Sequence, residues 1–179
     1  LKENGSEIKV TNENKKEFIQ LRTDYVLFNR IEKQVNAFRE GFESLIDYDS
    51  IKVFTPKELD LLIVGSQEFD VKDFIDHFSY DYPFTEETPV VKLFFNAISK
   101  WIKDDLQKLL MFMTGSSRVP INGFDEFCKM SGKTFKIGSG GDKSNLPQSH
   151  TCANTINLPH YETEDELNEK LHMAINECI

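Results

Sequence analysis

The chain has few cysteines, no Cys-x-x-Cys pair and no long apolar run, and each of these absences disfavours a class of protein. Three widely spaced cysteines in 179 residues do not make the framework of a disulfide-rich secreted domain, and their scarcity favours a reducing compartment. A structural zinc site needs four ligands in paired short spacings, and the chain has one His-x-Cys pair, His150 and Cys152, with Cys128 and Cys178 remote and isolated, so such a site is disfavoured. No apolar run approaches the ~20 residues that cross a bilayer, so we expect no membrane span. We also expect neither a metal nor a cofactor.

Basic charge is also in short supply. The chain carries 21 basic and 30 acidic side chains, for a net charge of −9. Nucleic acids and anionic membranes are bound by basic surfaces, so both are disfavoured as partners. Proteins with basic faces remain candidate partners of this acidic chain. The first ten residues, LKENGSEIKV, contain neither an initiator Met nor a signal-peptide core. We therefore expect a piece of a larger protein that acts in the cytoplasm, with the nucleus as the other compartment.

Helical periodicity dominates the start of the chain. Apolar residues recur at steps of three, four and seven between Leu21 and Phe42, which predicts one long amphipathic helix. Thr11 is a good cap for a helix that begins at Asn12. Gly41 is the expected point of interruption, since glycine weakens a helix interior.

A second helix is predicted over the segment TPKELDLLIVG. Thr55 is the predicted cap, Pro56 suits the first helical position, and Gly65 suits the left-handed position after the last turn. Another helical pattern begins within five residues. The short segment Gly65-Ser66-Gln67 is therefore either a hinge or a plain helix-ending turn.

The period of the apolar residues changes further along the chain. One helix is predicted to begin at Thr88-Pro89, and a further helix is predicted to end at Gly115. A last helix is predicted to begin at a capping box headed by Thr163. Strands are predicted at Thr134–Ile137 and at Thr151–Leu158. A flexible loop, Gly138–Asn145, is predicted to lie between them. The fold class is therefore α+β, with a helical first portion followed by helices packed on a small β-sheet.

The segment LPQSHTCANTINLP, Leu146 to Pro159, raises the main chemical question, which is whether Cys152 is packed, metal-bound or nucleophilic. Packing is the favoured interpretation for Cys128 and Cys178, since free cysteines are commonly buried. Cys152 instead has polar neighbours and follows a glycine-rich loop, which predicts an exposed thiol. Strand alternation would place His150 on the same face.

A nucleophilic thiol needs its thiolate form and access to an activated carbonyl. A hydrolase also needs a base and an oxyanion hole placed by tertiary structure, and no sequence cue indicates either. Exchange of an acyl group between two thiols is nearly isoenergetic, so access and orientation matter more than strong activation. Acyl relay therefore fits Cys152 better than hydrolysis, and an inert packed thiol stays open as the alternative.

Several long motifs resemble those of one family. LPQSHTCANTINLP resembles the active-site pattern LPxxHTCFNxLxLPxY of HECT-type ubiquitin ligases, and LLMFMTGSSRVPINGF resembles their pattern LLxFxTGxxRxPxxGF. Upstream, LKENGSEIKVTNENKKEF, the QxxAFxxGF of Gln34–Phe42 and ELDLLIVG are similar to the amino-terminal lobe of that domain. The motifs occur in the family's order and cover essentially the whole chain.

The resemblance implies a thioester relay. Cys152 would accept ubiquitin from a ubiquitin-conjugating enzyme and pass it to a lysine of a protein substrate, without a metal or cofactor. His150 and Thr151 would shape the local catalytic site. Four further residues would contact the ubiquitin tail or line the cleft, namely Leu146, Pro147, Arg118 and Asn154.

The resemblance also implies a division into lobes. Residues 1–64 would be the last part of the amino-terminal lobe, residues 65–67 the hinge, and residues 68–179 the cysteine-bearing lobe. Phe18 would line the groove for the conjugating enzyme. Arg22, one turn later, falls where relatives often carry an aromatic residue in that groove.

Three departures from the family pattern keep other functions open. Ala153 replaces the phenylalanine that usually follows the cysteine, Leu93-Phe94-Phe95 replaces a tryptophan-containing run, and the chain stops at Cys178-Ile179, where relatives continue into a short tail. The front of the amino-terminal lobe is missing as well, so this piece is expected to load ubiquitin poorly. The alternatives to a ligase are a catalytically silent module that binds ubiquitin or a partner, and a thiol hydrolase such as a deubiquitinase.

Overall fold

A computed structural model describes residues 1–177 of the chain. The chain divides into two compact units, Leu1–Thr55 and Pro56–Ile179. The predicted lobe boundary at residues 65–67 stays a prediction, and in this structure the boundary between compact units falls earlier in the chain.

The first unit is helical and has no buried side chain. A 3-10 turn at Gly5–Glu7 precedes helix α1 (Lys15–Asp24), which runs into a π-helical turn over Tyr25–Asn29, and α2 (Glu32–Glu43) and the short α3 (Tyr48–Ile51) follow. Every residue from 1 to 55 is at least partly exposed. The apolar faces of these helices therefore bury little area within the unit itself.

The prediction of one helix interrupted at Gly41 is wrong. Gly41 lies inside α2 with open space around it, and the interruption is the π-helical turn that starts at Tyr25. The segment YVLFNRI is rich in β-branched and aromatic residues, which lose side-chain freedom in a helix, whereas one glycine costs only about 1 kcal/mol. Helix α1 also begins later than predicted, at Lys15, where Asn14 is the cap and accepts a hydrogen bond from the Thr11 N–H at 2.7 Å.

The second unit contains six α-helices and a four-stranded sheet within residues 56–177. The helices are α4 (Pro56–Val64), α5 (Val71–Asp76), α6 (Pro89–Ile98), α7 (Lys103–Thr114), α8 (Gly123–Ser131) and α9 (Glu164–Glu177). The strands are β1 (Phe78–Tyr80), β2 (Phe135–Ser139), β3 (Gln148–His150) and β4 (Thr155–Leu158). The predicted α+β class is confirmed, and no helix within residues 1–177 is long and apolar enough to cross a membrane.

The strands lie in the order β1-β2-β4-β3. Strand β2 pairs with β1 and with β4 in parallel, and β3 joins the other edge of β4 in antiparallel orientation. In the central pair Lys136 lies opposite Thr155, and Ser139 lies opposite Leu158. Parallel neighbours require a long crossover, which α6, α7 and α8 supply between β1 and β2.

Phenylalanine rings form the centre of the core. Phe74, Phe124 and Phe135 are fully buried, and their ring centroids lie 4.8 to 5.5 Å apart. Two of the three ring pairs meet edge to face, which adds stability beyond the buried area. The core continues over α6, α7, α9 and β4 with fully buried Phe94, Ile98, Leu109, Leu110, Met113, Ile156, Leu158 and Leu167. This core fixes β2 and β4, and Cys152 lies on the turn that leads into the amino-terminal end of β4.

Helix boundaries in this unit follow the predicted signals, with differences in detail. Helices α4 and α6 begin at their prolines, and α7 ends at a left-handed glycine. At α6 the Thr88 hydroxyl does not cap its helix, because it accepts from the Thr85 N–H at 2.9 Å instead. At α9 the Thr163 hydroxyl accepts from the Glu166 N–H at 3.2 Å, as predicted, while the Glu166 carboxylate accepts from the Glu162 N–H at 3.3 Å.

The end of α4 is held against the loop that precedes α8. Gly65 has a left-handed backbone with φ of 87°, as predicted, and an added Cβ would lie 2.9 Å from the carbonyl carbon of Val119. Ser66 forms a two-way backbone bridge with Val119, with nitrogen to oxygen distances of 2.7 and 2.9 Å. Only a glycine fits this combination of positive φ and close backbone approach.

Side chains also hold the predicted hinge residues in place. Arg118 donates from Nη1 to the Gly65 carbonyl at 3.2 Å and to the Asp60 carboxylate at 3.2 Å. Gln107 on α7 donates from Nε2 to the Gln67 carbonyl at 2.7 Å. The segment is therefore tied to the body of the second unit by backbone and side-chain bonds.

We expect Gly65→Ala to destabilise the protein more than Gly115→Ala. Both glycines have positive φ, 87° and 79°, so both substitutions introduce backbone strain of about 1 kcal/mol. Only at Gly65 does the new Cβ meet the Val119 backbone, while nothing lies within 4 Å at Gly115, and overpacking adds about 1–3 kcal/mol. Urea unfolding measures the difference, and equal free energies of unfolding for the two variants would contradict the close contact.

Candidate active site

The segment that contains Cys152, called the thiol segment below, runs from Leu146 to Leu158 and consists mainly of strand β3, a turn and strand β4. The predicted strand over Thr151–Leu158 is therefore wrong in its first half, because Thr151–Ala153 form a 3-10 turn and β4 starts only at Thr155. The cause is Asn154, whose left-handed φ of 50° cannot continue an extended chain. Asparagine is one of the few non-glycine residues that adopt this backbone readily.

The argument that placed His150 and Cys152 on one strand face fails with that strand. His150 is the last residue of β3, and Cys152 is the middle residue of the turn. His150 is exposed, and its Nε2 lies 3.3 Å from Nδ2 of Asn157 on β4, where the amide donates to the ring. Within residues 1–177 no hydrogen bond joins the imidazole to the thiol. The partner that the structure assigns to His150 is therefore on the neighbouring strand.

Cys152 is exposed at the tip of the connection between β3 and β4. The turn is closed by the Asn154 N–H, which donates to the Thr151 carbonyl at 3.3 Å. The carbonyl of Cys152 accepts a hydrogen bond from the Lys133 ammonium, so the backbone of the turn is held from the side while the residue stays open to solvent. Residues 1–177 contain no cluster of His, Cys, Asp and Glu that could hold a metal ion.

Asn154 is a buried member of the segment, with 5% of its surface exposed. Its carbonyl accepts from the Lys136 N–H at 3.0 Å, which begins the ladder between β2 and β4. Its side-chain Nδ2 has no hydrogen-bond partner within residues 1–177, and a buried donor without a partner costs about 1–3 kcal/mol. The backbone conformation, rather than side-chain hydrogen bonding, therefore explains an asparagine at this position.

The two residues predicted to lie beside the ubiquitin tail come just before β3. Leu146 is half-buried and Pro147 is buried. The glycine-rich loop before them, predicted to be flexible, is anchored by the Tyr161 hydroxyl, which donates to the Asn145 carbonyl at 2.7 Å. Burial, with a smaller contribution from Glu166, raises the pKa of Tyr161 to about 12. The loop is therefore fixed to the body of the second unit next to the thiol segment.

The other predicted site residues lie elsewhere. Arg118 is bonded at the end of α4, as described above, and not to the thiol segment. Phe18 and Arg22 lie one turn apart on α1 in the first unit, where both line one shallow groove of about 390 Å³. The structure thus brings together the predicted residues between 146 and 154, and separately it brings together Phe18 and Arg22.

Lys133 is the neighbour of Cys152 that sequence reasoning missed. It lies after α8, 19 residues before the cysteine. The signal that would have found it is strand register, because the parallel pair begins at Lys136 and Thr155, which brings the segments that precede β2 and β4 to the same edge of the sheet. That register is set by tertiary packing and is not visible in local sequence patterns.

Comparison with known proteins agrees with this architecture. The family model described as "HECT-domain (ubiquitin-transferase)" matches residues 1–179. The chain therefore belongs to the HECT-domain family of ubiquitin transferases, and the resemblance of its motifs is confirmed.

Three relatives illustrate the match. The chain is 43% identical over 180 residues to E3 ubiquitin-protein ligase RSP5 of Chaetomium thermophilum and 41% identical over 180 residues to E3 ubiquitin-protein ligase pub1 of Schizosaccharomyces pombe. It is 45% identical over 178 residues to E3 ubiquitin-protein ligase NEDD4 of Mus musculus. These matches cover 100%, 100% and 98% of this chain but 22%, 23% and 20% of those proteins. The chain thus spans about a fifth of the length of the curated relatives it matches.

We expect Cys152 to react with a limiting amount of maleimide ahead of Cys128. Cys128 is half-buried on α8 rather than fully packed, and burial, with Asp125 and Asp73, raises its pKa. Less of it is thiolate at neutral pH, and its labelling should increase as the pH rises. Peptide mapping gives the order, and equal labelling at neutral pH would contradict the expectation. Cys178, predicted to be a packed thiol, lies outside the described residues.

Substitution of Asn154 tests the left-handed turn. Asn154→Gly should be more stable than Asn154→Ala by about 1 kcal/mol, because alanine is strained at positive φ and glycine is not. Ala153 is the matched control, since its backbone φ is not positive, and Ala153→Gly should lower stability instead. Chemical denaturation measures both effects, and a common sign at the two positions would contradict the assigned backbone.

Proposed function

We propose that this chain is the last part of the catalytic domain of a ubiquitin–protein ligase, and that Cys152 carries ubiquitin as a thioester. The observation that carries the proposal is the exposure of Cys152 at the β3–β4 turn in a chain that belongs to the HECT family. The proposed partners are ubiquitin, a ubiquitin-conjugating enzyme and a protein substrate. The proposed compartment is the cytoplasm, where cysteines stay reduced.

The proposed reaction consists of two acyl transfers. The Cys152 thiolate attacks the thioester carbonyl of ubiquitin on the conjugating enzyme, a new C–S bond forms, and the thiol of that enzyme leaves. The neutral amine of a substrate lysine then attacks the new thioester, an amide bond forms, and Cys152 is released as a thiol. The first step exchanges one thioester for another, so an accessible and oriented sulfur suffices. An exposed cysteine without a hydrogen-bonded base fits this chemistry better than hydrolysis.

The neighbours of Cys152 are proposed to shape the approach of the ubiquitin tail. His150 and Thr151 are exposed and directly precede the cysteine, so they would border the reacting carbonyl. Leu146 and Pro147 would supply apolar surface for the tail before β3. Asn154 would act through its left-handed backbone, since its side chain is buried.

Gly65-Ser66-Gln67 remains the proposed hinge between the lobes. A left-handed glycine directly after a helix supports a change of chain direction at this point. The Ser66 bridge to Val119 and the Arg118 bond to the Gly65 carbonyl would have to break during a swing about this segment. Arg118 is therefore proposed to restrain the hinge rather than to contact ubiquitin.

Phe18 and Arg22 are proposed to take part in binding the conjugating enzyme. They share a groove on α1, and Phe18 is 37% exposed despite its large apolar ring. An exposed aromatic ring beside a cationic side chain is a common arrangement at protein interfaces.

Cys152→Ala is expected to abolish a thiol-labile ubiquitin adduct. The full-length protein is mixed with activating enzyme, conjugating enzyme, ATP and ubiquitin, and the products are separated with and without reductant. The wild-type protein should form an adduct that reductant removes, because a thioester exchanges with thiols and an amide does not. The Cys152→Ala variant should form none.

Cys128→Ala is the matched control, because this second cysteine is half-buried on α8 and its variant should load like the wild type. An adduct that survives in Cys152→Ala would refute the proposal. Ubiquitin binding without any adduct, at equal affinity for wild type and Cys152→Ala, would support the silent module. Steady cleavage of a ubiquitin ester or amide without a donor enzyme would support the hydrolase.

A further inference from the structure

We infer that Lys133 is a catalytic residue of the thioester transfer, and that its ammonium donates hydrogen bonds to the oxyanion formed when the Cys152 sulfur attacks an incoming thioester. The inference rests on the proposed function, because it needs an acyl transfer to Cys152. It goes beyond that function, because Lys133 lies outside every motif that resembles the HECT family.

The first support is the position of the ammonium. Lys133 Nζ donates a hydrogen bond to the carbonyl oxygen of Cys152. The carbonyl oxygen and the sulfur of one cysteine are joined through four covalent bonds and lie about 3–5 Å apart. The ammonium therefore lies in the immediate surroundings of the sulfur that an incoming thioester must reach, and both residues are exposed.

The second support is that the ammonium has unused hydrogen-bonding capacity. A lysine ammonium has three N–H donors and accepts no hydrogen bond. In the described part of the chain, residues 1–177, the bond to the Cys152 carbonyl is the one hydrogen bond of this ammonium, and it forms no ion pair. The remaining donors are free for a ligand. An oxyanion fits them, because it carries the opposite charge and accepts hydrogen bonds.

A comparison with the nearest lysines along the chain supports the same point. Lys129 pairs with Asp125, and Lys136 lies 3.6 Å from Asp81. A carboxylate beside an ammonium offsets much of the attraction that an approaching oxyanion would otherwise meet. Lys133 therefore stabilises a developing negative charge better than either neighbour, and Lys129 offers a matched control.

The third support is that both ends of the lysine side chain are held before the reaction. The Lys133 N–H donates to the Cys128 carbonyl at 3.2 Å, and the Ser131 hydroxyl donates to the Lys133 carbonyl at 3.0 Å. Gly132 ends α8 just before it with a left-handed φ of 66°. At the other end, the ammonium is bonded to Cys152 itself. Donors that are already in place stabilise a transition state more than donors that must reorganise.

The proposed step is balanced without any further reagent. The Cys152 thiol gives its proton to solvent, and the thiolate attacks the carbonyl carbon of the donor thioester. A C–S bond forms, and the electron pair of the C=O π bond moves to the oxygen, which accepts hydrogen bonds from Lys133. The carbonyl then reforms, and the C–S bond to the donor breaks. The donor sulfur leaves as a thiolate that takes a proton from solvent, while Lys133 keeps all of its protons.

The test compares two reactions of Cys152 that differ in the oxyanion. Transfer of ubiquitin from a saturating amount of loaded conjugating enzyme to the full-length protein passes through an oxyanion, whereas alkylation of Cys152 by iodoacetamide does not. Both rates depend on the exposure and the thiolate fraction of the sulfur, so their ratio isolates what acts on the oxyanion. Single-turnover gels give the transfer rate, and mass spectrometry of the Cys152 peptide gives the alkylation rate.

Lys133→Met should lower the ratio of transfer rate to alkylation rate at neutral and at mildly alkaline pH. We expect a fall of about tenfold, less than the ~10²–10³-fold of a buried oxyanion donor, because this site is exposed. Lys133→Arg should stay within about threefold of the wild type, since arginine keeps the charge and the donors. Lys129→Met removes the same charge from α8 and should leave the ratio unchanged.

An unchanged ratio in Lys133→Met would overturn the inference, even if both rates fall together, because the lysine would then act only on the exposure or ionisation of the sulfur. A ratio that falls as far in Lys133→Arg or Lys129→Met as in Lys133→Met would overturn it as well.

A second donor distinguishes this inference from the proposed function. A short peptide that ends in a glycine thioester transfers its acyl group to Cys152 through the same kind of oxyanion and without a conjugating enzyme. A lower ratio of peptide transfer to alkylation in Lys133→Met, together with no ubiquitin adduct on the wild type, would leave the inference standing and reject the ligase. A ubiquitin thioester that forms on Cys152 with the same ratio in both proteins would do the reverse. A sulfur that accepts neither donor would overturn both.

Discussion

The left-handed backbone of Asn154 is the constraint on which the thiol site depends. It ends the 3-10 turn at Ala153 and directs the chain into β4. On that strand Ile156 and Leu158 lie in the core with no exposed surface. Two residues earlier, Cys152 is open to solvent. An extended backbone at Asn154 would have drawn the cysteine into the strand, where alternate residues are buried in the sheet.

The same constraint decides which side chains can meet the cysteine. Cys152 lies in the 3-10 turn rather than on the strand, and the contact of His150 is with Asn157 on β4. The parallel pair of β2 and β4 supplies Lys133 as a neighbour from a different part of the chain. A site of this kind has a simple chemical character, with an accessible sulfur, an amine and exposed backbone, and with no buried charge relay among residues 1–177.

Sequence reasoning succeeded where a single residue determines its own backbone. Pro56 and Pro89 begin helices, and Gly65 and Gly115 end them with positive φ, because their conformational preferences act locally. The α+β class and the exposure of Cys152 followed from local period and polarity in the same way. The failures have the opposite origin. The polar-apolar alternation from Thr151 onward was compatible with a strand, and it does not show that Asn154 takes the left-handed backbone that ends the turn, because asparagine permits that conformation without requiring it.

The loop beside the site shows a consequence of burying a phenol. The Tyr161 hydroxyl holds the Asn145 carbonyl, and it acts as a donor only while it keeps its proton. Burial raises the pKa of this hydroxyl to about 12, so it keeps the proton that it donates. Because Asn145 precedes β3 and Tyr161 follows β4, this one hydrogen bond joins the two flanks of the segment that bears the thiol.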